Sequence, residues 1–403
     1  MKHRLCAGLL IAALPLLFSC SSTKKFGRKN TREGDITLVF AGDIMAHSSN
    51  FLPGNFDRIW RDVAPILRSA DLAFGNVEAP VADGLDWSSY PKFNMHSEYV
   101  EAAIKAGFNV FSLANNHTND KGVQGIRETR SYFDSRGGVW ACGLKARQND
   151  GITHAVIECT AGDGSQWRIL FVAFTELLNN NAELSEWIDY YPSTVSARAR
   201  IKSDLKRLAR ENPHDVFIAS VHTDEPEYVL EITEDHQNFF GELVRDCGVD
   251  IVWANHPHVT KPWEKVPTNR VDKNDGFIMY ANGNTISGQR TNPSFAAPET
   301  ARDYTGDGVI ITLRLHREER EVQKTVSPES ETDFEESETV IVERILVSSC
   351  EPRFITTYIA PSGQYMVKTL DSSFIQALDR SEITDWSAYL SERKKIMERL
   401  LRK

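Results

Sequence analysis

Short apolar runs alternate with amphipathic stretches along most of the chain after residue 35. Several runs are continuously apolar, which is typical of strands buried on both faces. They predict strands at residues 36–42, 72–78, 109–115, 153–159, 168–174, 215–222, 250–256, 277–282 and 308–316. Apolar residues at helical spacing predict helices over residues 56–70, 97–107, 122–138, 196–213 and 233–248. This alternation of strands and helices predicts an α/β fold with crossover connections.

The pattern changes after residue 316, so we expect the main domain to span residues 36–316. Residues 317–340 are acidic, punctuated by Ser, Thr and Pro, and poor in large apolar side chains, which predicts a flexible segment. Residues 341–403 resume with one or two strands and then one or two helices. We interpret them as a small C-terminal α+β extension.

The first residues have the form of a bacterial export signal. "MKHR" is positively charged, and "LCAGLLIAALPLLF" is apolar but too short to span a membrane. A small residue before Cys20, and Leu17 three positions before it, resemble a lipobox. This resemblance implies a lipoprotein signal peptide at residues 1–19, lipid on Cys20, and an exported protein anchored to a membrane of the bacterial cell envelope. The alternative is a plain signal peptide in which the cysteine occurs by chance. Residues 20–35 are polar, and we interpret them as a tether between the membrane and the folded domain.

Composition restricts the partners of this 403-residue chain. Its net charge is −10, and Lys and Arg form no cluster beyond the first thirty residues, so nucleic acid is not expected as a partner. Four cysteines fall in the expected folded part, Cys142, Cys159, Cys247 and Cys350, and none has a zinc-binding spacing. The sequence leaves open whether they pair or remain buried thiols.

Polar or ionisable side chains follow six of the predicted strands. Any one such ending suits a turn, but six together predict a ligand site, because the carboxyl ends of strands border the crevice of an α/β sheet. These residues are Asp43, Asn76, Glu78, Asn115, Asn116, His117, His222, Asn255, His256, His258, Asn282 and Asn284. Carboxylates, amide oxygens and neutral imidazoles together suit a divalent zinc, manganese or iron ion.

The "HPH" of residues 256–258 has the most specific pattern. Pro257 fixes φ, and residues two apart in an extended segment point to one side, so we expect both imidazoles to be directed at one place. Structural alternatives remain for other positions: Asp43 as a turn cap, Glu78 as a solvated loop residue, and His117 as a core histidine. The acidic residues after His222 are either partners of an imidazole or an exposed turn.

Six motifs occur in a fixed order: "LVFAGDIM", "FGNVEAPV", "LANNHTNDKGVQGI", "SVHTDEPEY", "NHPHVTKPWE" and "YANGNTI". In this order they resemble the CapA-type capsule and poly-γ-glutamate biosynthesis proteins, relatives of the calcineurin-like metallophosphatases. The resemblance spans roughly residues 36–290. It implies a four-layer α-β-β-α sandwich, with two sheets packed face to face and helices outside.

The resemblance also implies roles for individual residues. Asp43 and His258 would hold a first ion, Glu78 would bridge, and a second ion would be held by Asn116, His222 and His256. His117 would donate a proton to the leaving group, while a metal-activated water attacks a phosphorus or carbonyl centre. Supporting or substrate-contacting residues would be Asn76, Asn115, Glu227 and Asn284. Met45 stands where the phosphatases have a histidine, so the first ion lacks a ligand unless His47 substitutes, and one or two ions are expected.

These observations predict a cell-envelope lipoprotein that takes part in capsule or poly-γ-glutamate type polymer biosynthesis, with a hydrolase-like site dependent on divalent Mn, Zn or Fe. The partner would be the anionic polymer or its synthesis and export machinery. The alternative is a non-catalytic accessory subunit that binds, exports or anchors the polymer and keeps a degenerate metal site. A third interpretation, a sugar- or peptide-binding lipoprotein, depends on the aromatic residues of segment 86–99 lining a groove rather than packing as a loop.

Overall fold

The computed structural model describes residues 34–400 apart from residues 180–181, 269, 271–274 and 327–335. The expected signal peptide, Cys20 and residues 20–33 of the tether lie outside the described residues. Within the described ranges, none of the helices combines the length and the apolar character needed to cross a membrane.

The described part contains fourteen strands and ten α-helices. The strands are β1 (Ile36–Ile44), β2 (Leu72–Val77), β3 (Val110–Ser112), β4 (Trp140–Cys142), β5 (His154–Thr160), β6 (Gln166–Thr175), β7 (Val216–His222), β8 (Ile251–Asn255), β9 (Trp263–Pro267), β10 (Asp275–Met279), β11 (Asn284–Ile286), β12 (Asp307–Val326), β13 (Glu336–Ile359) and β14 (Tyr365–Thr369). The helices are α1 (Ser48–Phe51), α2 (Asp57–Trp60), α3 (Ala64–Arg68), α4 (Ser97–Ala106), α5 (Gly122–Asp134), α6 (Val195–Glu211), α7 (Glu234–Asp246), α8 (Ala301–Tyr304), α9 (Ser372–Arg380) and α10 (Thr384–Leu400). All nine predicted strands are present, whereas the helix predicted over residues 56–70 is divided into α2 and α3.

The strands form two mixed sheets. In the first sheet the order is β14-β13-β12-β1-β2-β3-β4, and β11 pairs with the end of β1. In the second sheet the order is β5-β6-β7-β8-β10-β9. β1 to β4 are parallel to one another, as are β6, β7, β8 and β10, so the carboxyl ends of each parallel set lie at one edge of the sheet.

Three apolar cores confirm the four-layer arrangement. The inner core joins the two sheets through aromatic contacts such as Phe74 with Phe171, whose ring centroids are 5.6 Å apart. Trp253 of β8 also donates a hydrogen bond from Nε1 to the Ala41 carbonyl of β1, at 2.8 Å. The outer face of the first sheet packs against α1–α5, and that of the second packs against α6 and α7. Aromatic pairs in the inner core, such as Phe40 stacked on Phe74 with ring centroids 4.5 Å apart, add to the free energy of burial.

The four cysteines left open by the sequence are free thiols. Cys142 and Cys247 are buried, whereas Cys159 and Cys350 are partly exposed. Burial raises the pKa of the Cys247 thiol to about 11, so it packs as a small apolar side chain.

The prediction of a flexible segment at residues 317–340 was wrong for residues 317–326 and 336–340. They lie in β12 and β13, whose antiparallel pairing is continuous from Leu315 as far as Val326 and Glu336, after a register shift between Arg314 and Leu315. Residues 327–335 lie outside the described residues. The composition indicated flexibility because the segment has few apolar side chains to bury. In a two-stranded ribbon, however, backbone hydrogen bonds to the partner strand also hold the chain in place. Arg317 adds a contact with the second sheet by stacking 4.2 Å from the Trp167 ring centroid.

The C-terminal extension is built into the first sheet and is anchored by a buried charge cluster. β13 and β14 extend the sheet, and α9 and α10 pack on them. The Arg393 side chain of α10 donates to Asp307 Oδ2 at 2.6 Å, and Arg290 donates to Asp307 Oδ1 at 2.9 Å. All three side chains are fully buried, so the carboxylate of Asp307 is the charge that compensates both guanidinium groups.

Replacing Asp307 by Asn should therefore lower the free energy of unfolding by about 3–5 kcal/mol, because two buried cations lose their counter-charge while the side-chain shape is kept. Urea unfolding of the protein purified without residues 1–20 measures this change. Glu392→Gln on the same helix breaks an exposed pair with Lys395 and should cost less than about 1 kcal/mol. Equal effects of the two substitutions would show that the buried cluster does not anchor the extension.

Candidate metal centre

The strand ends of both sheets bring the predicted site residues to one place. In the first sheet, the pairing register sets Asp43 opposite Asn76 on one side and Asn284 on the other. Glu78 follows β2, and His222 ends β7 of the second sheet. These five side chains are buried, with at most 1% of each residue exposed. The crevice at the carboxyl ends of the strands is therefore a closed polar centre between the two sheets.

A run of polar contacts crosses from one sheet to the other. Asn76 donates from Nδ2 to Asp43 Oδ1 at 2.8 Å, and the same nitrogen lies 3.3 Å from His222 Nδ1. On its other side, His222 Nε2 lies 2.9 Å from Asn116 Oδ1. Asn76 thus contacts two predicted ligands at once, a position from which it could orient both.

Glu78 lies at the centre of the candidate ligands. Its Oε1 is 3.6 Å from His258 Nε2 and 3.9 Å from His222 Nε2. Potential ligand atoms fall within 4.8 Å of one another in two triads, Asp43–Glu78–His222 and Glu78–His256–His258. Glu78 belongs to both triads, so its carboxylate is the one shared between them. The triads group Asp43 with His222, and His256 with His258, whereas the resemblance implies Asp43 with His258, and His222 with His256.

Several buried ligand atoms of these triads make no hydrogen bond to the described residues. They are both carboxylate oxygens of Glu78, Oδ2 of Asp43 and Nδ1 of His256. A buried carboxylate oxygen without a partner costs free energy that a cation can offset. The donor set, of carboxylates, imidazoles and an amide oxygen, therefore fits a divalent metal.

Burial sets the protonation of the centre. Burial, and then the charge of Asp43, raise the pKa of Glu78 well above its usual range. Burial, and then the neighbouring His256, lower the pKa of His222 well below its usual range. Burial, and then His258, likewise lower the pKa of His256 to about 3. The latter two imidazoles are thus neutral near pH 7, the form that binds metal ions.

The His-Pro-His segment directs both imidazoles to Glu78, but not through the extended backbone that the sequence suggested. His256 has φ 112° and His258 has φ 58°, values that are costly for residues other than glycine. The turn is held by Tyr228, whose backbone N–H donates to the Pro257 carbonyl at 2.9 Å, and Tyr228 itself has φ 65°. His258 Nδ1 lies 3.0 Å from Asn284 Oδ1 and 3.2 Å from Asp43 Oδ2. Strained backbone is thus concentrated beside the candidate ligands.

His117 lies beside the centre and is oriented by two side chains that the sequence analysis did not select. Its Nδ1 is 2.7 Å from Asp120 Oδ2, and its Nε2 is 3.2 Å from Asn179 Nδ2. Asp120 follows His117 by three residues, a local signal that was available, whereas Asn179 lies 62 residues away along the chain. An imidazole held at Nδ1 by a carboxylate has its Nε2 positioned for proton transfer.

The remaining predicted residues divide by their contacts. Asn115 holds backbone, since its Nδ2 donates to the Val77 carbonyl at 2.8 Å and its Oδ1 accepts from the His117 N–H at 3.1 Å. Asn284 supports His258 as described above. Glu227 is exposed, although its charge contributes to the raised pKa of Glu78, after burial and Asp43.

His47 does not belong to the two triads. Its Nδ1 accepts a hydrogen bond from the Gly288 N–H at 3.1 Å, and its ring lies against Phe93 with centroids 4.9 Å apart. Burial, and then His258, lower the pKa of His47 to about 3. Met45 is buried in the outer core of the first sheet. None of these contacts tests whether His47 takes the place of the missing histidine as a metal ligand, so that role stays a prediction.

Asn255 is a further residue of the centre, named from the sequence only as a strand ending. It pairs with His222 in the parallel register of β7 and β8, and paired residues project to the same face of a sheet. It is buried, and neither of its side-chain polar atoms hydrogen-bonds to a described residue. These features place an additional amide beside His222.

A second buried cluster joins the loops behind the centre. His236 of α7 lies between carboxylates, with Nε2 2.6 Å from Glu176 Oε2 and Nδ1 3.0 Å from Glu225 Oε1. Lys261, three residues after His258, donates to Glu225 Oε2 at 2.6 Å. Glu176, Asp224 and His236 have the spacing of a metal site, but cations of the protein already pair with their carboxylates, including Arg198 with Glu176 at 3.2 Å. We therefore interpret the cluster as the support that ties the His222 loop to the His258 loop.

The stability of this cluster should depend on pH. Burial opposes the charge on His236, but hydrogen bonds with Asp224, Glu176 and Glu225 outweigh it and raise the pKa of His236 from 6.5 to about 11. A folded-state pKa above the unfolded value means that the stabilisation is complete below pH 6.5 and is lost as the pH rises through 11. His236→Gln should therefore flatten the decline in unfolding free energy over that interval.

Urea unfolding from about pH 6 to about pH 10 measures this dependence. His154→Gln, at an exposed position of β5, is the control and should leave the slope unchanged. A wild-type slope retained in the His236→Gln variant would contradict the assignment of the positive charge to His236.

Comparison with known proteins places this site in a family context. The family described as "Bacterial capsule synthesis protein PGA_cap" matches residues 37–289. The chain is 26% identical to the capsule biosynthesis protein CapA of Bacillus anthracis over 308 residues, which cover 72% of this chain and 70% of that protein. It is 25% identical to the PGA biosynthesis protein CapA of Bacillus subtilis (strain 168) over 305 residues, covering 72% and 73%. The crystal structure of the calcineurin-like phosphoesterase YfkN from Bacillus subtilis aligns with a TM-score of 0.40 and 9% identity, over 89% of this chain and 100% of that chain.

Proposed function

Because the chain belongs to the bacterial capsule synthesis family PGA_cap, we propose that it takes part in the biosynthesis of a capsule or poly-γ-glutamate type polymer as a metal-dependent hydrolase. Family membership supports the association with a cell-surface polymer pathway. The observation that supports catalysis is the buried carboxylate of Glu78, which has two unpartnered oxygens and is shared by two ligand triads.

The residues that would hold a divalent cation are Asp43, Glu78, Asn116, His222, His256 and His258. A cation bound there would polarise a phosphoryl or acyl oxygen of the substrate and lower the pKa of water. His117 is the group placed to move a proton, because Asp120 holds its Nδ1 at 2.7 Å and leaves Nε2 beside Asn179. The closed walls around Glu78, His222 and His256 exclude bulk water, which strengthens electrostatic interactions with a substrate.

Metal binding is the first test of this proposal. The protein purified without residues 1–20 should bind Mn²⁺ or Zn²⁺, and the double substitution His222→Ala/His256→Ala should weaken that affinity more than about 100-fold, since it removes a ligand from each triad. Elemental analysis and titration calorimetry measure the bound metal. His154→Ala, in exposed β5, is the control. Absence of metal binding at micromolar concentration in the wild-type protein would refute the hydrolase proposal.

The alternative, a non-catalytic accessory subunit, is favoured by Met45, which is buried in an apolar core at the position where the resemblance to the phosphatases implies a ligand of the first ion. The same double variant separates the two functions in cells. If the protein is a hydrolase in the pathway, polymer production is lost while the variant remains folded. If the protein is an accessory subunit that does not need the site, production continues at the wild-type level.

We further propose that the protein is an exported lipoprotein anchored through Cys20. The lipobox-like sequence before that residue supports this proposal. Cys20→Ser should abolish the incorporation of labelled palmitate and release the protein from the membrane fraction. Cys6→Ser, within the apolar region of the same signal, should leave both unchanged. Membrane fractionation with fatty-acid labelling distinguishes this anchor from a plain cleaved signal peptide, for which neither variant would change the labelling.

A further inference from the structure

We propose that Arg302 and Tyr228 form a subsite at the edge of the metal centre that binds an anionic group of the substrate, a carboxylate or a phosphate. The inference rests on the proposed function and assigns recognition of the negative charges beside the reacting bond to two residues outside the candidate ligand set.

Tyr228 connects the guanidinium group of Arg302 with a candidate metal ligand. The Arg302 Cζ lies 5.4 Å from the centroid of the Tyr228 ring, and that ring lies 6.2 Å from the ring of His258. The backbone N–H of Tyr228 donates a hydrogen bond to the Pro257 carbonyl, and the Tyr228 hydroxyl accepts a hydrogen bond from Gln289 Nε2 at 3.4 Å. A group bound at Arg302 is thus one aromatic ring away from the centre.

The short helix that carries Arg302 is fixed to the same centre. Thr300 and Asp303 form a reciprocal capping box at its start, and Tyr389 of α10 donates to Asp303 Oδ1 at 2.7 Å. At its end, Asn284 Nδ2 donates to the Thr305 carbonyl at 2.8 Å, while the Oδ1 of the same amide contacts His258. The backbone of Arg302 is therefore held at a defined position relative to the ligands, which is what a substrate-orienting group requires.

Arg302 is also available to a ligand. Its residue is exposed, and no carboxylate of the described part of the chain lies within ion-pair distance of its guanidinium group. Arg290, in contrast, is buried and paired with Asp307. A guanidinium group stacked over an aromatic ring keeps its N–H edge free for two parallel hydrogen bonds to a carboxylate or phosphate.

Electrostatics explain why an anionic substrate would need this cation. Asp43, Glu78 and the exposed Glu227 are negatively charged when ionised, and one divalent cation offsets two such charges. Burial raises the pKa of Tyr228, and so does the charge of Glu227, whereas the charge of Arg302 acts in the opposite direction. By stacking on Tyr228, Arg302 therefore adds positive potential beside the residue that follows Glu227, which favours an anionic group there.

The test uses the full chain in detergent, loaded with Mn²⁺, and measures the affinity for three probes: γ-glutamate oligomers, glycerol-phosphate oligomers and neutral dextran. Arg302→Gln should weaken the binding of at least one anionic probe about tenfold or more. The affinity of Arg302→Lys for that probe should lie between those of the wild type and Arg302→Gln, because lysine keeps the charge but lacks the planar guanidinium fork. Arg200→Gln is the matched control, since Arg200 stacks 5.1 Å from the Tyr191 ring in the outer helical layer and is also exposed. It should bind all probes as the wild type does.

A loss confined to γ-glutamate identifies a carboxylate polymer as the ligand, and a loss confined to glycerol phosphate identifies a phosphate polymer. The inference is overturned if the wild type binds neither anionic probe, if Arg302→Gln binds both with wild-type affinity, or if Arg200→Gln loses as much affinity. Metal content, measured on every variant, tests the proposed function separately. If the wild type holds no metal, the same comparison of probe affinities on the metal-free protein still decides the role of Arg302.

Discussion

The buried carboxylate of Glu78 is the constraint around which the centre is organised. Both of its oxygens lie between the two sheets without a hydrogen bond to a described residue. Burying such a group costs several kcal/mol unless an opposite charge accompanies it. The surrounding groups are those that accompany a cation: Asp43, Asn116 and three imidazoles, two of which have pKa values well below their usual range. The fold and the buried clusters are therefore consistent with divalent metal binding.

Holding these groups together requires support from both sheets. Asp43 and Asn76 are aligned by the parallel pairing of β1 and β2, whereas His222 arrives from the facing sheet. The left-handed backbone of His256 and His258 is held by Tyr228, Lys261 and Asn284, so its strain is offset by surrounding contacts. The centre is thus supported on rigid elements, the arrangement that keeps ligand geometry fixed.

The C-terminal part of the chain contributes more than an appended extension. Arg393 of α10 donates to the buried Asp307, and Tyr389 donates to Asp303, which lies in α8. Through Asn284, the same region contacts His258. The residues beyond 289, which the family match does not cover, therefore hold Asn284 through the Thr305 carbonyl and carry Arg302.

The sequence by itself determined nine of the fourteen described strands, because their apolar runs are legible without knowing their partners, whereas β4, β9 and β11 were not predicted. It also selected candidate site residues at the strand ends, because short polar motifs follow those runs in a recognisable order; their roles stay a prediction. Only the tertiary structure decided which of them meet: Asn179 reaches His117 from 62 residues away, and His47 turns to Gly288 rather than joining a triad. It likewise decided that residues 317–326 and 336–340 form strands, since the hydrogen bonds of a partner strand leave no mark on local composition. Composition and spacing report what a segment can bury, whereas contacts between distant segments depend on the packing of both sheets.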